Sequence, residues 1–495
     1  MNLLRRKSVA SLQAEAETDV SLKRVLGPLN LVLLGIGCTI GAGVFVLTGL
    51  VASSMAGPGV VLSYVLAGTA SIFAALCYSE FASLVPMSGS AYTYSYATLG
   101  EIFAWIIGWD LILEYAVGGI TVAIGWSGHF NELLKSFGVA LPPQLIAATG
   151  SPVTLADGTH ATAWFNLPAV AIVALTTTLL VVGIRESSRF NNIIVVVKLA
   201  VIGVFLIGAF HAINFANWRP FIPAHIPPGM AHPDGAFGWS GVFSGAGLAF
   251  FAYIGFDAVS TGAQEAKNPQ RDMPIGIIGS LIVCTILYIL VSAVATGVVP
   301  YTELGGDAPI VYVAEQAGMG DWITKLINLG IVAGLSSVIM VLLMAQSRIF
   351  WSMSRDGLLP QFVNKVHPKF KTPWITSIIT GVVVAICAAT LTLKGAGDLC
   401  NIGTLLAFVI VCLSVLVLRV REPNLKRTFS VPGLWFVAPA GALSSFGLMC
   451  TLPGKTWLRL IVWFLIGIVY YFAYGMKNSR LNKNPGVTPP LPHGS

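Results

Sequence analysis

The sequence alternates long apolar runs with short polar segments. Residues 25 to 79, for example, contain no charged residue. A hydrocarbon core about 30 Å thick needs roughly 20 apolar residues per helix. Cutting the chain at its charged and Pro/Gly-rich points gives twelve such runs, which begin near Leu29, Val60, Glu101, Trp164, Phe190, Trp239, Pro274, Trp322, Pro373, Asp398, Val431 and Trp457. The pattern predicts an all-α integral membrane protein with twelve transmembrane helices.

Composition and charge agree with this prediction. Only 10% of the 495 residues are charged and 55% are hydrophobic, whereas a soluble protein carries about 25% charged residues. With the N-terminus inside, 21 of the 28 Lys and Arg residues fall on the cytoplasmic side, six fall outside and Lys198 lies within a span. This bias predicts a multi-pass protein of the cell membrane with both termini cytoplasmic. The net charge of +7 then indicates contact with anionic lipid and not with nucleic acid.

Enzyme and cofactor chemistry has no support in the sequence. The seven cysteines lie within or beside apolar runs without metal-ligand spacing, so we interpret them as packing residues. The seven histidines do not cluster, and no HExxH or paired-aspartate motif occurs in a span. We therefore expect no metal, no cofactor and no catalytic activity.

Glycines interrupt two of the apolar runs. "GIGCTIGAGVFVLTG" at 35–49 carries five glycines, and "SGAGLAFFAYIGFDAVSTG" at 244–262 carries four. Each belongs to the first span of a block of five, and the two blocks have opposite orientations. Interrupted spans at matching positions of inverted halves indicate a transporter site near the bilayer midplane.

The predicted organisation follows from this repeat. We expect a cytoplasmic tail (1–28), a first five-helix repeat (29–213), a second inverted repeat (239–418), two accessory helices (431–476) and a cytoplasmic tail (477–495). An alternative interpretation of the glycines is helix packing, since Gly37 and Gly41 are four residues apart. Such faces would also suit a dimer or a small single-span partner protein, although we expect a monomer.

An unwound first span would present both polarities of backbone to a ligand. A break at 39–43, around Gly41, would free the N–H groups of Ala42 and Gly43 at the start of a half-helix, which favours a carboxylate. Carbonyls near Thr39 and Ile40 would face an ammonium group. Glycine would also let the ligand approach the backbone closely.

The sixth span supplies further carbonyls, those of Phe251, Ala252 and Ile254. One end of the predicted site therefore attracts an anion and the other a cation. An α-amino acid zwitterion has this polarity at this separation.

Lys198 lies about a third of the way into the fifth span, with no carboxylate near it in the sequence. A lysine in the membrane costs roughly 2.5 to 3.5 kcal/mol and usually marks an ion or proton pathway. The alternative is a lysine that extends to the cytoplasmic interface. Ser336 and Ser337 form a hydroxyl pair that could help to bind Na⁺, but a lysine ammonium in the same space would exclude that ion.

Glu114 is the second candidate for proton coupling. Asp110 lies one helical turn before it on the same face. Either carboxyl group could accept a proton or meet a basic side chain. The alternative is a structural hydrogen bond to a neighbouring helix.

Four stretches carry a resemblance to a known family. They are "GIGCTIGAGVFVLTG", "CYSEFASLVPMSGSAYTYSYATLGE" at 77–101, "FFAYIGFDAVSTGAQEAKNPQRDMPIGI" at 250–277 and "SRIFWSMSRDGLLP" at 347–360. The sequence resembles the amino acid–polyamine–organocation transporter superfamily and, within it, the cationic amino acid transporter family. It differs from the vertebrate members, which carry two further spans.

The resemblance implies a LeuT-type fold of five plus five inverted helices with two more, and secondary transport by alternating access. It implies that the carboxylate of the substrate binds the Gly41, Ala42 and Gly43 backbone, and that Phe251, Met340 and Glu114 select the side chain. Lys198 would match a lysine that replaces a sodium ion in proton-coupled bacterial members.

The substrate remains open between two classes. Only Glu114 and Asp110 could balance a cationic side chain, and Phe251 and Met340 are bulky, so we expect proton-coupled symport of small neutral amino acids such as alanine. The alternatives are a gradient-independent facilitator or exchanger of arginine, lysine or ornithine, and a membrane-embedded amino acid sensor. The expected partners are the amino acid, protons and membrane lipids.

Overall fold

The computed structural model describes residues 5–7, 9, 12–13, 26–87, 89–155, 158–182, 188–226, 237–306, 308–365, 367–370 and 372–483. Most of the predicted tails, 1–28 and 477–495, therefore lie outside the described residues. The repeat boundaries predicted from sequence remain predictions.

Helices form the framework of the described part. The longer ones are α1 (Pro28–Thr39), α2 (Val60–Leu84), α3 (Ser90–Thr98), α4 (Glu101–Ser136), α5 (Leu167–Val182), α6 (Ser188–Phe210), α7 (Gly238–Ala249), α8 (Pro269–Val298), α9 (Pro309–Gln316), α10 (Asp321–Arg355), α11 (Trp374–Thr390), α12 (Leu393–Arg421), α13 (Leu434–Cys450) and α14 (Gly454–Tyr470). A short antiparallel hairpin, β1 (Pro152–Thr154) and β2 (His160–Thr162), lies between α4 and α5.

Shorter helical segments extend or connect these helices. Around the first span they are a π-helix (Gly43–Leu47), an α-helical turn (Thr48–Val51), a second π-helix (Ala52–Ala56) and a 3₁₀ turn (Gly57–Gly59). The chain continues after α7 in two 3₁₀ segments, Phe250–Tyr253 and Asp257–Glu265. Beyond α14 follow a π-helix (Tyr471–Gly475) and two short turns (Met476–Asn478 and Arg480–Lys483). The remaining 3₁₀ turns are Pro143–Leu145, Phe215–Trp218, Tyr301–Glu303 and Gln361–Asn364.

Eight helical segments of the described residues are long and apolar enough to cross a membrane. Four other apolar helices, α1, α5, α11 and α13, have only 12 to 17 residues. All four occupy predicted spans, and α1 is short because the chain leaves the helix at Ile40. The fold is therefore that of a multi-pass, mostly helical membrane protein, while the twelve-span arrangement remains a prediction.

The two interrupted spans lie at the centre of the bundle. Helix α1 packs against α8, α6 and α10, and the 3₁₀ segment Phe250–Tyr253 contacts both α2 and the π-helix Gly43–Leu47. Around them, α4 packs against α10 and α12. Their packing buries the residues of both interruptions away from the bundle surface.

A buried carboxylate joins α2 to the segment after α12. Glu80 is 1% exposed and accepts hydrogen bonds from Arg419 Nη2 at 2.7 Å, Arg427 Nε at 3.1 Å and the backbone N–H of Val431 at 2.8 Å. Both arginines form ion pairs with it. Every oxygen of this carboxylate therefore has a charged donor.

A second ion pair ties the N-terminal segment to the end of α10. Lys7 Nζ lies 2.8 Å from Asp356 Oδ1, and Tyr92 donates its hydroxyl to Asp356 Oδ2 at 2.6 Å. The backbone N–H of Lys7 also donates to the Tyr96 carbonyl of α3. We call the groups Lys7, Glu80, Asp356, Arg419 and Arg427 the ionic rim.

Candidate functional site: two facing helix breaks

The first break is two residues long. Helix α1 ends at Thr39, Ile40 adopts an extended conformation with φ −73° and ψ 100°, and the helix resumes at Ala42. The sequence predicted an interruption at 39–43, and the structure contains one there.

The second break lies between the two 3₁₀ segments after α7. Ile254 is extended, with φ −62° and ψ 132°, and Gly255 has a φ of +116°. That conformation is rare for residues with a side chain, so glycine is needed at 255. The carboxylate of Asp257 accepts from the Gly255 N–H at 3.2 Å and from the Tyr115 hydroxyl at 2.9 Å, which fixes the turn.

The two breaks approach each other closely. A methyl group at Gly43 would overlap the Cα of Ala252, and one at Gly255 would lie 2.9 Å from the carbonyl oxygen of Cys38. Since a side chain at either glycine would separate the segments, these glycines serve backbone contact between the first and sixth spans. Helix packing by Gly37 and Gly41 is therefore not the whole explanation of the glycine pattern.

Gly41 differs from Gly43 in this respect. A Cβ at 41 would meet a methyl group of Val338 at 3.4 Å, an ordinary van der Waals distance. The two glycines of the "GAG" sequence therefore have different requirements, a distinction that the sequence alone does not contain.

Lys198 contacts the first break directly. Its Nζ donates to the carbonyl oxygen of Gly37 at 2.9 Å and to that of Ile40 at 3.2 Å, and the residue is 1% exposed. A Cβ at Gly334 of α10 would lie 2.8 Å from its Cε, so the aliphatic part of Lys198 packs against α10. The ammonium group thus lies at the carbonyl end of the break and does not extend to an interface.

The serine pair of α10 uses its hydroxyl groups within the protein. Ser337 donates to the carbonyl of Gly334, and Ser336 donates to that of Val332 and accepts from Trp126 Nε1 at 2.8 Å. Within the described ranges, no group of three or more His, Cys, Asp or Glu side chains could hold a metal ion.

Tyrosines that the sequence analysis missed hold the backbone of both breaks. Tyr288 of α8 donates its hydroxyl to the carbonyls of Thr39, at 2.9 Å, and Ala252, at 2.7 Å. Tyr64 of α2 donates to the carbonyl of Gly43 at 2.8 Å. Each is a single tyrosine within an aliphatic run, and a lone polar hydroxyl in such a run could have identified both residues from the sequence.

Four of the five carbonyls predicted to face an ammonium group, all except that of Ile254, lie within hydrogen-bond distance of a donor among the described residues. Ile40 accepts from Lys198, Thr39 and Ala252 share Tyr288, and Phe251 accepts from the backbone N–H of Ile254 at 3.2 Å. A carbonyl oxygen has two lone pairs, so each can accept one more hydrogen bond. Their role in binding a substrate remains a prediction.

Glu114 and Asp110 are buried in α4, each 1% exposed. Both carboxylate oxygens of Asp110 and Oε1 of Glu114 have no hydrogen-bond partner among the described residues. Asp110 Oδ1 lies against Gly403 of α12, where a Cβ would be 2.7 Å away. The described hydrogen bonds of Lys198 go to α1 and not to these acids.

The face of α10 that meets the first break carries Val338. Met340 is also buried, but it lies about 200° around the helix axis from Val338. Leu342, one turn after Val338 on the same face, contacts the Gly118 position of α4. Val338 is therefore the residue of α10 that lies against Gly41, while Leu342 packs on α4, and the role of Met340 in selecting the side chain remains a prediction.

Comparison with known proteins identifies similar transport proteins over nearly the whole chain. Residues 26–473 match the amino acid permease family. The sequence is 46% identical over 483 residues to the branched-chain amino acid permease BcaP of Bacillus subtilis, which covers 97% of this chain and 99% of that protein.

Two further relatives broaden the comparison. A methylthioribose transporter of Bacillus subtilis is 44% identical over 482 residues, which is 97% of this chain and 100% of that protein. The vacuolar cationic amino acid transporter 4 of Arabidopsis thaliana is 36% identical over 86% of this chain and 68% of that protein. The chain belongs to the amino acid permease family.

Proposed function

We propose that this permease imports neutral L-amino acids by proton-coupled symport and alternating access. The observation that carries the proposal is the Lys198 ammonium group on the carbonyls of the first break. A buried cation there fills the position that a coupling sodium ion would need, and a proton gained and lost by Lys198 would alter the break that holds the substrate.

The polarity of the breaks supports an amino acid as ligand. The half-helix that starts at Ala42 directs N–H groups and the positive end of its dipole towards the gap, which suits a carboxylate. The carbonyls of Thr39 and Ala252 lie together on one hydroxyl group and suit an ammonium. The zwitterion would lie between them.

The apolar lining supports a neutral side chain. Val338 lies against Gly41, and Phe251 belongs to the 3₁₀ segment that precedes the second break. A relative with 46% identity is named for branched-chain amino acids. We infer a substrate range from alanine to the branched-chain amino acids, selected by apolar contact.

The surrounding architecture is part of the proposal. Twelve spans would form the inverted repeats 29–213 and 239–418 followed by the accessory helices 431–476, in the plasma membrane, with both termini in the cytoplasm. The charge bias of the loops supports this orientation.

A second candidate function is gradient-independent exchange of arginine, lysine or ornithine. It is favoured by the unpartnered oxygens of Asp110 and Glu114, which could balance a cationic side chain. The relative named for methylthioribose makes an uncharged sugar the third class of compound to test.

The deciding experiment is uptake of labelled alanine, leucine, arginine and methylthioribose into liposomes of the purified protein, without sodium and with an inward proton gradient. We expect alanine and leucine to accumulate and an uncoupler to abolish the accumulation. Lys198→Met should lose accumulation, while Lys135→Met, which removes an exposed lysine paired with Glu132, should retain it.

Other outcomes reject specific parts of the proposal. Arginine uptake that ignores the gradient would establish the exchanger. Binding of an amino acid without flux would indicate a sensor. Accumulation that survives in Lys198→Met would exclude this lysine from proton coupling.

A further inference from the structure

Tyr288 connects the two breaks through one hydroxyl group. The residue is fully buried in α8, and its Oη lies 2.9 Å from the Thr39 carbonyl oxygen and 2.7 Å from that of Ala252. Thr39 is the last residue of α1 before the first break, and Ala252 lies two residues before Ile254 of the second. The hydroxyl therefore lies where the interrupted spans meet.

A proton count shows that this arrangement is incomplete. A phenol has one O–H donor, so at any moment it serves only one of the two carbonyls. The other carbonyl oxygen then faces the phenol oxygen without a proton between them. An unsatisfied buried acceptor is unfavourable, so the pair has room for one further donor.

The packing around Tyr288 holds the hydroxyl in position. The centre of its ring lies 5.4 Å from that of Tyr64 and 5.3 Å from that of Tyr253. Tyr253 donates its own hydroxyl to the Tyr64 carbonyl at 2.8 Å, and Tyr64 donates to Gly43. The three aromatic rings pack against one another, and this packing restricts the position of the Tyr288 phenol oxygen.

We propose that Tyr288 is a positioning residue for the amino group of the substrate. Its hydroxyl aligns the carbonyls of Thr39 and Ala252 and donates to one of them, while the substrate ammonium donates to the other. This inference rests on the proposed function, because it requires an amino acid at the two breaks. It adds a specificity determinant. Tyr288 would select for an ammonium group by holding the two carbonyl oxygens in place, without an acidic side chain in the site.

The test uses Tyr288→Phe with Tyr92→Phe as the matched control. Both changes remove one buried hydroxyl donor, but Tyr92 donates to Asp356 of the ionic rim, whereas Tyr288 joins the two breaks. Binding of labelled alanine, or of whichever neutral amino acid the wild type binds, is measured in detergent. We expect the Kd to rise about tenfold in Tyr288→Phe and less than about threefold in the control.

Competition by L-lactate separates positioning from general loosening of the site. Lactate has the shape of alanine with a hydroxyl group in place of the ammonium. In Tyr288→Phe, the ratio of the half-inhibitory concentrations of lactate and alanine should fall about tenfold, because misaligned carbonyls weaken the charged ammonium contact of alanine more than the hydroxyl contact of lactate. Loosening would raise both concentrations and leave the ratio unchanged, which would overturn the proposal.

A second variant keeps the proposal testable if Tyr288→Phe does not fold. Tyr288→Met removes the hydroxyl group but retains an adaptable apolar side chain, and the same fall in the lactate-to-alanine ratio is expected. If the wild type binds amino acids and both variants keep the ratio, this inference alone is wrong. If the wild type binds no amino acid, the proposed function is wrong and the inference falls with it.

Discussion

Glu80 and Glu114 are equally buried, each 1% exposed, but their surroundings are opposite. Glu80, in the ionic rim, has two arginines and a backbone N–H. Glu114, in α4, has a carboxylate oxygen without a hydrogen-bond partner among the described residues. Lys198 resembles Glu114, since its described hydrogen-bond partners are uncharged carbonyl oxygens.

The difference distinguishes buried groups that stay ionised and stabilise the fold from buried groups that can gain or lose a proton. A buried ion with a fixed countercharge costs stability if either partner is lost, so it stays charged and holds elements together. A buried ionisable group without a countercharge is expensive to retain and is commonly functional. The ionic rim would therefore stabilise the fold, while Lys198 and Glu114 would respond to protons and substrate.

The largest expected effect is on folding, in Glu80→Gln. Arg419 and Arg427 would lose their common carboxylate, and we expect a loss of about 3 kcal/mol in stability, measured by thermal unfolding in detergent. Transport per folded molecule should stay near that of the wild type. Glu132→Gln, at an exposed pair with Lys135, is the control and should change stability by less than about 1 kcal/mol. If Glu80→Gln is as stable as the wild type, the ionic rim does not have the structural role that distinguishes Glu80 from Glu114.

The next effect is on the breaks themselves. Gly43→Ala would force the first break away from Ala252, and overlap of this kind costs about 2 kcal/mol, or a roughly 30-fold loss of uptake if it falls on the binding-competent state. Gly41→Ala, two residues earlier, has room for the methyl group and should retain uptake within about threefold. Equal loss in both variants would mean that backbone flexibility, and not close approach, requires these glycines.

A smaller effect is expected on coupling, in Glu114→Gln. If this acid takes part in proton coupling, accumulation driven by a proton gradient should fall about tenfold while exchange of substrate continues. Stability should change little, in contrast to Glu80→Gln, because no ion pair is broken. Unchanged accumulation together with a clear loss of stability would show that Glu114 is structural, as the alternative interpretation holds.

The smallest effect concerns Asp356 at the ionic rim. Burial alone would raise the pKa of Asp356, but the Lys7 ammonium and the Tyr92 hydroxyl outweigh burial and hold the pKa below its ordinary value. A carboxyl group with a lowered pKa stabilises the folded state above its unfolded pKa, near 3.9, and loses this contribution as the pH falls through its folded pKa. Its stabilisation should therefore be constant between about pH 5 and 8.

Unfolding of Asp356→Asn checks this sign. The variant should be less stable than the wild type by about 1 kcal/mol at neutral pH, and the difference should shrink only below about pH 4. A difference that varies between about pH 5 and 8 would assign the transition to another group. Any pH dependence of transport in that range is expected to persist in the variant.

Local sequence was enough to locate both breaks and the lysine beside one of them. Glycines inside runs that must cross a membrane are costly to a helix, and a lysine in such a run is conspicuous, so the signal lay within a few residues. The glutamate of the ionic rim, Glu80, directly follows the uncharged run 25–79, and nothing in that run indicates its role. Its partners lie 339 and 347 residues away in sequence, and no local pattern connects them.

By itself, the sequence determined that the chain is a helical membrane protein, where two of its spans break, and that Lys198 lies within a span, because these depend on hydrophobicity and backbone freedom along the chain. Only the tertiary structure decided that Gly43 and not Gly41 needs to be small, that Val338 lies against Gly41, and that Tyr288 joins both breaks. Those facts depend on which helix faces which. Contacts between segments distant in sequence depend on how the helices pack, and the local pattern of one segment does not identify its packing partner.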